Sequence, residues 1–564
     1  MNRREFLEVL SVAAACGGLL RADGARAAAS LYEFAAFGNV RLLHFTDCHA
    51  QLEPVYFREA STDIGAGAEA GRIPHRVGNA WLEAARARRG GALAYAFTAL
   101  DFEAQAHRYG RVGGFAALAT LVKRLRAGAR ASLLLDGGDS WQGSATALWS
   151  RGQDMVDAAK LLGVDAMTGH WEFTYGAERI DAFARSNEIA WIAHNVRTKD
   201  FDEPVFAPFV IREVGGAAVA IIGQAFPYVP IAHPPRFVPA WTFGIQERNL
   251  QLQVDAARAA GAAAVILLSH NGLDADLKLA TRVGGIDAIL GGHTHDALPS
   301  GRLVASPSGR TLVTNAGSHG KFLGVLDLDV RGRRLRDVRY RLLPVFADLL
   351  APDPAMRDLV ERIHAPHRER LAAPLAVAAS TLYRRGNFGG SMDQVILDAL
   401  RAVEDAPIAL SPGFRWGPTL LAGDTITRGD VYAQTGITYP QVHVREMTGA
   451  QIRAALEDVC DNLFNPDPYL QQGGDMVRVS GLQYACAPRA RMGERIRDLR
   501  IGDVPLDADR RYKVAGWAPV GDAAPEARPI WDVVEAYLLS RKTIRVGRIE
   551  APRLVGVDGD PGLG

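Results

Sequence analysis

The chain has 564 residues, 48% hydrophobic and 23% charged, with 64 Lys+Arg against 63 Asp+Glu for a formal net charge of +1. A length of this size gives two to four domains at roughly 150 residues each, and the composition excludes wholesale disorder and collagen-like repetition. The balanced charge excludes a global basic field for nucleic acid, four cysteines cannot build a disulfide scaffold, and no apolar run reaches the ~18 residues of a membrane span.

The first segment reads as an address. Arg3-Arg4-Glu5-Phe6-Leu7, the apolar Val9–Leu20 and the small-residue site Ala25-Arg26-Ala27 are the parts of a twin-arginine export signal over residues 1–29. The mature chain is then expected in the periplasm, with no membrane span.

After this leader, Val40–Phe45 has the profile of a buried strand ending in Asp47-Cys48-His49. Residues 53–110 are rich in Gly, Ala and Arg with weak periodicity, and read as an insertion over the strand ends. Phe115–Arg126 carries helical spacing, and Ala131–Leu135 is a strand running into Asp136-Gly137-Gly138-Asp139. Val164–Met167, Ala190–Ile192, Val219–Ile222, Val265–Leu268 and Ala288–Leu290 continue the strands, with helices Met155–Leu162, Ile180–Arg185 and Leu250–Ala260 between them. Alternation of this kind indicates an α/β domain, over 38–345, with polar residues collected at strand ends. Residues 352–372 form a helical linker, and 374–551 a second α/β domain.

Five segments carry chemistry: Asp47-Cys48-His49, Gly138-Asp139, Gly169-His170-Trp171-Glu172, Ser269-His270-Asn271 and Gly292-His293-Thr294-His295. In extended chain, residues i and i+2 share a face, so Asp47 and His49 are expected to point together, as are His293 and His295. Two carboxylates and five imidazoles are too many ligands for one ion. Oxygen and nitrogen donors without thiolate point to Mn, Fe or Zn. The other histidines, including His44, His75, His107, His194 and His319, read as structural or supporting.

The order D-x-H, G-D, G-H-x-E, H, G-H-x-H resembles the metallophosphoesterase fold and, with the second domain, the 5′-nucleotidase family over nearly the whole mature chain. The resemblance implies an N-terminal α/β sandwich holding two divalent ions and a C-terminal α/β domain that supplies substrate contacts. By it, Asp47, His49 and His295 take one ion, His170, His270 and His293 the other, and Asp139 bridges them. Gly413-Phe414-Arg415 matches the family's anion-binding stretch, with Arg384 and Arg385 as further candidates.

The departures narrow the resemblance. Family members carry Gly-Asn-His-Glu-Phe-Asp, in which Asn is a ligand and a His–Asp dyad assists catalysis; here the stretch is Gly169-His170-Trp171-Glu172-Phe173-Thr174. No convincing pair of aromatics for sandwiching a nucleobase stands out. This pattern, with Gly473-Gly474-Asp475-Met476-Val477-Arg478, is similar to the SoxB family of thiosulfohydrolases. That likeness implies manganese as the metal, Arg415 at the substrate with Trp171 either packing against it or filling the volume of the lost dyad, and release of sulfate from a cysteine S-thiosulfonate on a SoxYZ-type carrier protein. A periplasmic 5′-nucleotidase is the alternative, and a metal-dependent carrier-binding protein without turnover a third. Cys460 and Cys486 are candidates for pairing that sequence alone cannot bring together.

Overall fold

The computed structural model describes residues 30–521, 524 and 526–564. The export-signal reading falls on residues 1–29, outside the described residues. β1 (Val40–Phe45) is buried along its whole length, because both sheet faces are covered, and its buried Arg41 is paired with Asp327 at 2.6 Å. It pairs in parallel with β2 (Ser132–Asp136), and the sheet continues through β3 (Ala166–Met167) and β4 (Ala190–Trp191). A second sheet follows from β5 (Phe209–Val214), β6 (Ala217–Gln224), β7 (Ala264–Ser269), β8 (Ala288–Gly291), β9 (Arg302–Ser306) and β10 (Gly309–Asn315), in spatial order β9-β10-β8-β7-β6-β5. The chain then returns to the first sheet with β11 (Phe322–Arg331) and β12 (Arg334–Pro344), giving β12-β11-β1-β2-β3-β4.

The two sheets lie face to face. Leu42, Leu133 and Leu135 of the first meet Ile221, Ile266, Leu268 and Leu290 of the second, each buried side chain contributing about 1.5–3 kcal/mol relative to exposure. Leu43 and Leu134 point the other way, onto helices Phe115–Ala127 and Gln153–Leu162. Helices Glu247–Ala259 and Leu273–Ala280 cover the second sheet. The result is an α/β sandwich in which the ends of β1, β2, β3, β7 and β8 open on one rim.

The segment at 53–110 folds into three helices, Gly78–Ala85, Ala92–Phe97 and Phe102–Tyr109. Helices this short complete too few turns for a clear 3.6-residue pattern. Aromatic packing holds them instead: Trp81 stacks on Phe97 at 4.9 Å, and Tyr95 on Tyr109 at 5.7 Å. Helix Pro354–His364, capped by the Asp353 carboxylate accepting from the Met356 amide, buries Met356 and Val360 against the first sheet's helices.

Beyond it, β13 (Ile408–Ser411), β14 (Val442–Thr448), β15 (Arg478–Ser480), β16 (Gln483–Cys486) and β17 (Arg511–Trp517) build the C-terminal half, with β14-β17-β13-β15 as its central sheet. Helices Ser391–Val403 and Ile530–Arg541 pack on that sheet through Val395, Ile396, Leu400, Val533 and Val534. Among the described residues, no helix is long and apolar enough to cross a membrane.

Candidate metal centre

Asp47 and His49 follow β1, Asp139 follows β2, His170 follows β3, His270 follows β7, and His293 and His295 follow β8. The reason expected for the paired residues does not hold. None of Asp47, His49, His293 and His295 lies on an extended strand face; their φ angles are 52°, 45°, 73° and 60°, and Asp139 stands at 58°. Left-handed backbone at non-glycine residues costs of order 1–3 kcal/mol each and persists only where surroundings enforce it. Backbone bonds between neighbouring turns do so here: the Asp47 amide donates to the Gly138 carbonyl at 2.8 Å and the His49 amide to the Asp139 carbonyl at 2.9 Å. Gly292 lets the β8 turn close, since a Cβ there would lie 2.4 Å from Thr46 Oγ1.

These turns bring all seven side chains together in two buried groups. Asp139, His170, His270 and His293 form one, Asp47, His49, Asp139 and His295 the other, with candidate ligand atoms in each within 4.8 Å of one another. Asp139 belongs to both. Its Oδ2 lies 3.0 Å from His170 Nδ1, 3.1 Å from His270 Nε2 and 3.9 Å from His49 Nε2. In the second group His295 Nε2 is 3.3 Å from Asp47 Oδ1 and 2.9 Å from His49 Nε2.

The donor set fits metal. His270 Nδ1 donates to the Gly137 carbonyl at 2.6 Å, which fixes the ring and leaves Nε2 facing the cluster. Buried and without a hydrogen-bond partner are His170 Nε2, His270 Nε2, His295 Nδ1 and both nitrogens of His293. Orphaned nitrogens in this number are costly in a closed core and are what two cations sharing a carboxylate would satisfy.

Electrostatics of the bare cluster point the same way. Burial pushes the Asp139 carboxyl up, but the His170 and His270 imidazoles outweigh it and hold it well below the usual carboxylate range. Against the same burial, Asp139 and Asp47 raise His270 to about 10. Burial lowers His170 to about 4 and takes His293 and His295 well below the ordinary histidine value. Most of these imidazoles are therefore neutral bases ready for a cation.

The C-terminal half closes the rim with cations and aromatics. Arg415 donates to the His293 carbonyl at 3.2 Å and the Gly474 carbonyl at 2.7 Å, with Asp475 Oδ1 3.4 Å from its Nε. Arg385 donates to the His295 carbonyl at 3.0 Å. Two arginines thus brace the backbone of two candidate ligands. Arg384 is committed to Asp393 at 2.9 Å and the Gln434 carbonyl at 2.7 Å. Trp171 is buried among His233, Trp416, Phe414 and Tyr439 at ring distances of 4.4, 5.0, 5.4 and 5.9 Å, and Thr174 Oγ1 donates to the Trp171 carbonyl at 2.8 Å.

Several contributors carry no sequence signal. Trp416 stacks on His49 at 5.4 Å, and His233 lies 5.0 Å from His170. Trp416 directly follows the Gly413-Phe414-Arg415 stretch, and His233 ends a short helix before Pro234-Pro235. Glu172 did have a signal, its place in Gly-His-Trp-Glu: its buried carboxylate accepts from the amides of His170 at 2.8 Å and Ser140 at 2.7 Å, locking the β2 and β3 turns together. Asp276 does the same for the β7 turn, accepting from Ser269 and Asn271.

Known proteins share this architecture. A family model for the 5′-nucleotidase C-terminal domain matches residues 375–519. The structure of the sulfate thiohydrolase SoxB from Thermus thermophilus superposes with a TM-score of 0.88 at 38% identity, covering 93% of this chain and 98% of that one. The chain belongs to the SoxB branch of the 5′-nucleotidase family. A 5′-nucleotidase precursor, also from Thermus thermophilus, at 23% identity and TM-score 0.72, shares the fold across 92% of this chain and 99% of that one. Rat 5′-nucleotidase is 31% identical over 238 residues, 39% of this chain, and the match spans only 41% of that protein. The chain is thus a hydrolase of this family with a candidate two-group His/Asp metal site.

Proposed function

We propose that the protein hydrolyses the sulfonate from a cysteine S-thiosulfonate on a carrier protein's flexible arm, releasing sulfate and leaving a carrier persulfide. The seven residues at the strand ends would hold two divalent ions, with manganese as the resident metal, and export by the twin-arginine route would place the reaction in the periplasm. Bound ions would supply positive charge and Lewis acidity to an anionic substrate. With two carboxylates against four cationic charges, the cluster keeps an excess near +2 that selects anions. Arg415 orients the sulfonate: each terminal guanidinium nitrogen gives one hydrogen to a backbone carbonyl and keeps one for a substrate oxygen. A small polar cavity of about 60 Å³, whose wall includes Asp63, His75, Thr294, Arg385 and Arg415, lies beside the His293–His295 turn.

The observation that carries the reading is what occupies the dyad positions. Trp171 is packed and Thr174 is tied to its carbonyl, so neither delivers a proton to a leaving group. The neighbouring His233 does not replace them: burial first, then His170, hold it well below the ordinary histidine value, hence uncharged near neutrality. An alkoxide leaving group benefits from a general acid by about 10²–10⁴-fold, whereas a persulfide departs as a stable anion. Phe414 and Trp416 stack on each other at 4.2 Å, closer than the ~7 Å two rings need to sandwich a base at ordinary stacking distances. Sulfate release from a thiosulfonate-bearing carrier, measured beside AMP hydrolysis, tests the proposal. Fast carrier turnover with slow AMP cleavage is expected; brisk AMP hydrolysis would promote the nucleotidase reading, and carrier binding without sulfate release would leave a binding protein.

A further inference from the structure

Cys460 lies in the last turn of helix Gly449–Leu463 and Cys486 ends β16. The two are 26 positions apart, yet their sulfurs are 3.4 Å from each other. Both are fully buried in one apolar cluster with Leu456, Phe464, Leu482 and Ile496, and both are free thiols. No charged group or metal-ligand pattern explains the contact, and an approach of little more than an ångström would bring the sulfurs to bonding distance.

We infer that Cys460 and Cys486 are a redox-modifiable pair, joined by a disulfide in an oxidising compartment, which staples helix Gly449–Leu463 to β16. In the balanced step, one thiolate attacks a disulfide oxidant of the glutathione or dithiol-oxidase class and releases one of its thiols. The second cysteine then displaces the other, so the protein loses two protons and two electrons while the oxidant becomes two thiols. Contact with Cys486, together with burial, pushes the Cys460 thiol well up; exchange therefore requires local opening rather than attack on the closed core.

The closed loop contributes to the side of the C-terminal half that faces the cluster. It contains Gly473, where a Cβ would lie 2.3 Å from His293 Nε2, and Asp475, which accepts from Arg415 and Arg478. The bond would restrain that loop in partly unfolded states and slow loss of the site on heating.

The experiment uses the full chain. Protein is equilibrated with oxidised glutathione or with dithiothreitol, then denatured in acid, alkylated and digested for mass spectrometry. A linked Cys460–Cys486 peptide, two hydrogens lighter, is expected after oxidation, with Cys48 alkylated as the internal control. Both cysteines alkylated after oxidation, or a glutathione adduct on either, would overturn the pairing. Thermal inactivation supplies a second readout: the oxidised form should lose activity about 10-fold more slowly than the reduced form, and Cys460→Ser/Cys486→Ser should show no dependence on dithiothreitol. Equal inactivation rates for the oxidised and reduced wild type would overturn the staple.

Discussion

The rim at the ends of β1, β2, β3, β7 and β8 and the wall that faces it from the C-terminal half are built on different physical terms. On the rim, short turns force five candidate ligands into left-handed backbone, and buried carboxylates such as Glu172 and Asp276 clamp the turns from beneath. On the wall, long side chains reach across: Arg385 and Arg415 grip carbonyls of His295 and His293, while Trp416 covers His49. The first arrangement would fix where cations sit. The second would decide what is admitted and how it is held. Damage to the rim should therefore remove the metals, and damage to the wall should leave metals in place while changing kcat/KM.

Asp139→Ala is the severest test of that division. Its carboxylate is shared by both groups, and without it two cations would repel across a few ångströms at low effective dielectric. Both metals and at least ~10³-fold of turnover should be lost. A variant that keeps two metals per chain by elemental analysis would show that Asp139 does not bridge.

Arg415→Lys should be milder and should strike only the wall. One ammonium cannot serve the His293 and Gly474 carbonyls and a substrate oxygen with the planar donors that a guanidinium offers. We expect at least a 10-fold fall in kcat/KM, roughly 1.4 kcal/mol, at unchanged metal content. Wild-type kinetics would remove Arg415 from the substrate's path, and loss of metal would move it to the rim.

Restoring the dyad with Trp171→His and Thr174→Asp should act in the opposite direction and more weakly. Alkyl phosphomonoester hydrolysis should rise a few-fold, short of the ~10²–10⁴ of a well-placed general acid, because the new side chains must fit a pocket shaped by Trp416 and Tyr439. Sulfate release from the carrier should not improve. No gain with AMP in a folded, metal-loaded variant would count against leaving-group protonation as the discriminating step.

The rim was legible in sequence because its logic is local: a strand, then a ligand within four residues of its end, with a glycine just before the ligand at Asp139, His170 and His293. Even there the stated cause was wrong, since His293 and His295 reach the cluster by left-handed turns and not by strand alternation. The wall was not legible because its parts converge from distant loops. Trp416 is brought to His49 only by the docking of the C-terminal half onto the sandwich, and His233, which reaches His170 from within the sandwich, comes from a loop far from it in sequence. Residues 53–110 were opaque for a third reason, their helices being too short for periodicity and held by aromatic stacking such as Trp81 on Phe97.

The smallest effect should come at the joint between the two regions, where His75 of the 53–110 segment lies 3.2 Å from Asp63 and 3.6 Å from Asp274, next to the strand-end turns. Burial disfavours the charged imidazole, but the two carboxylates overcome it and raise its pKa well above 6.5, while His75 in turn helps to hold Asp63 below the usual carboxylate value against its burial. For a histidine raised on folding, the stabilisation is fully present below the unfolded value near 6.5 and is lost as pH climbs through the higher folded value. His75→Gln removes the cation and keeps a hydrogen-bonding side chain of similar reach. At about pH 6 the variant should melt about 2–4 °C below wild type, and the gap should narrow steadily as the pH is raised through the higher folded value, because the wild-type imidazole then loses its proton as well. Metal content at neutral pH should match wild type, since neither His75 nor its carboxylate partners belong to the two ligand groups. Melting curves of both proteins across that range decide it: a gap that widens with pH, or one that never changes, would mean that His75 is not charged between Asp63 and Asp274 and that the joint is held by packing alone.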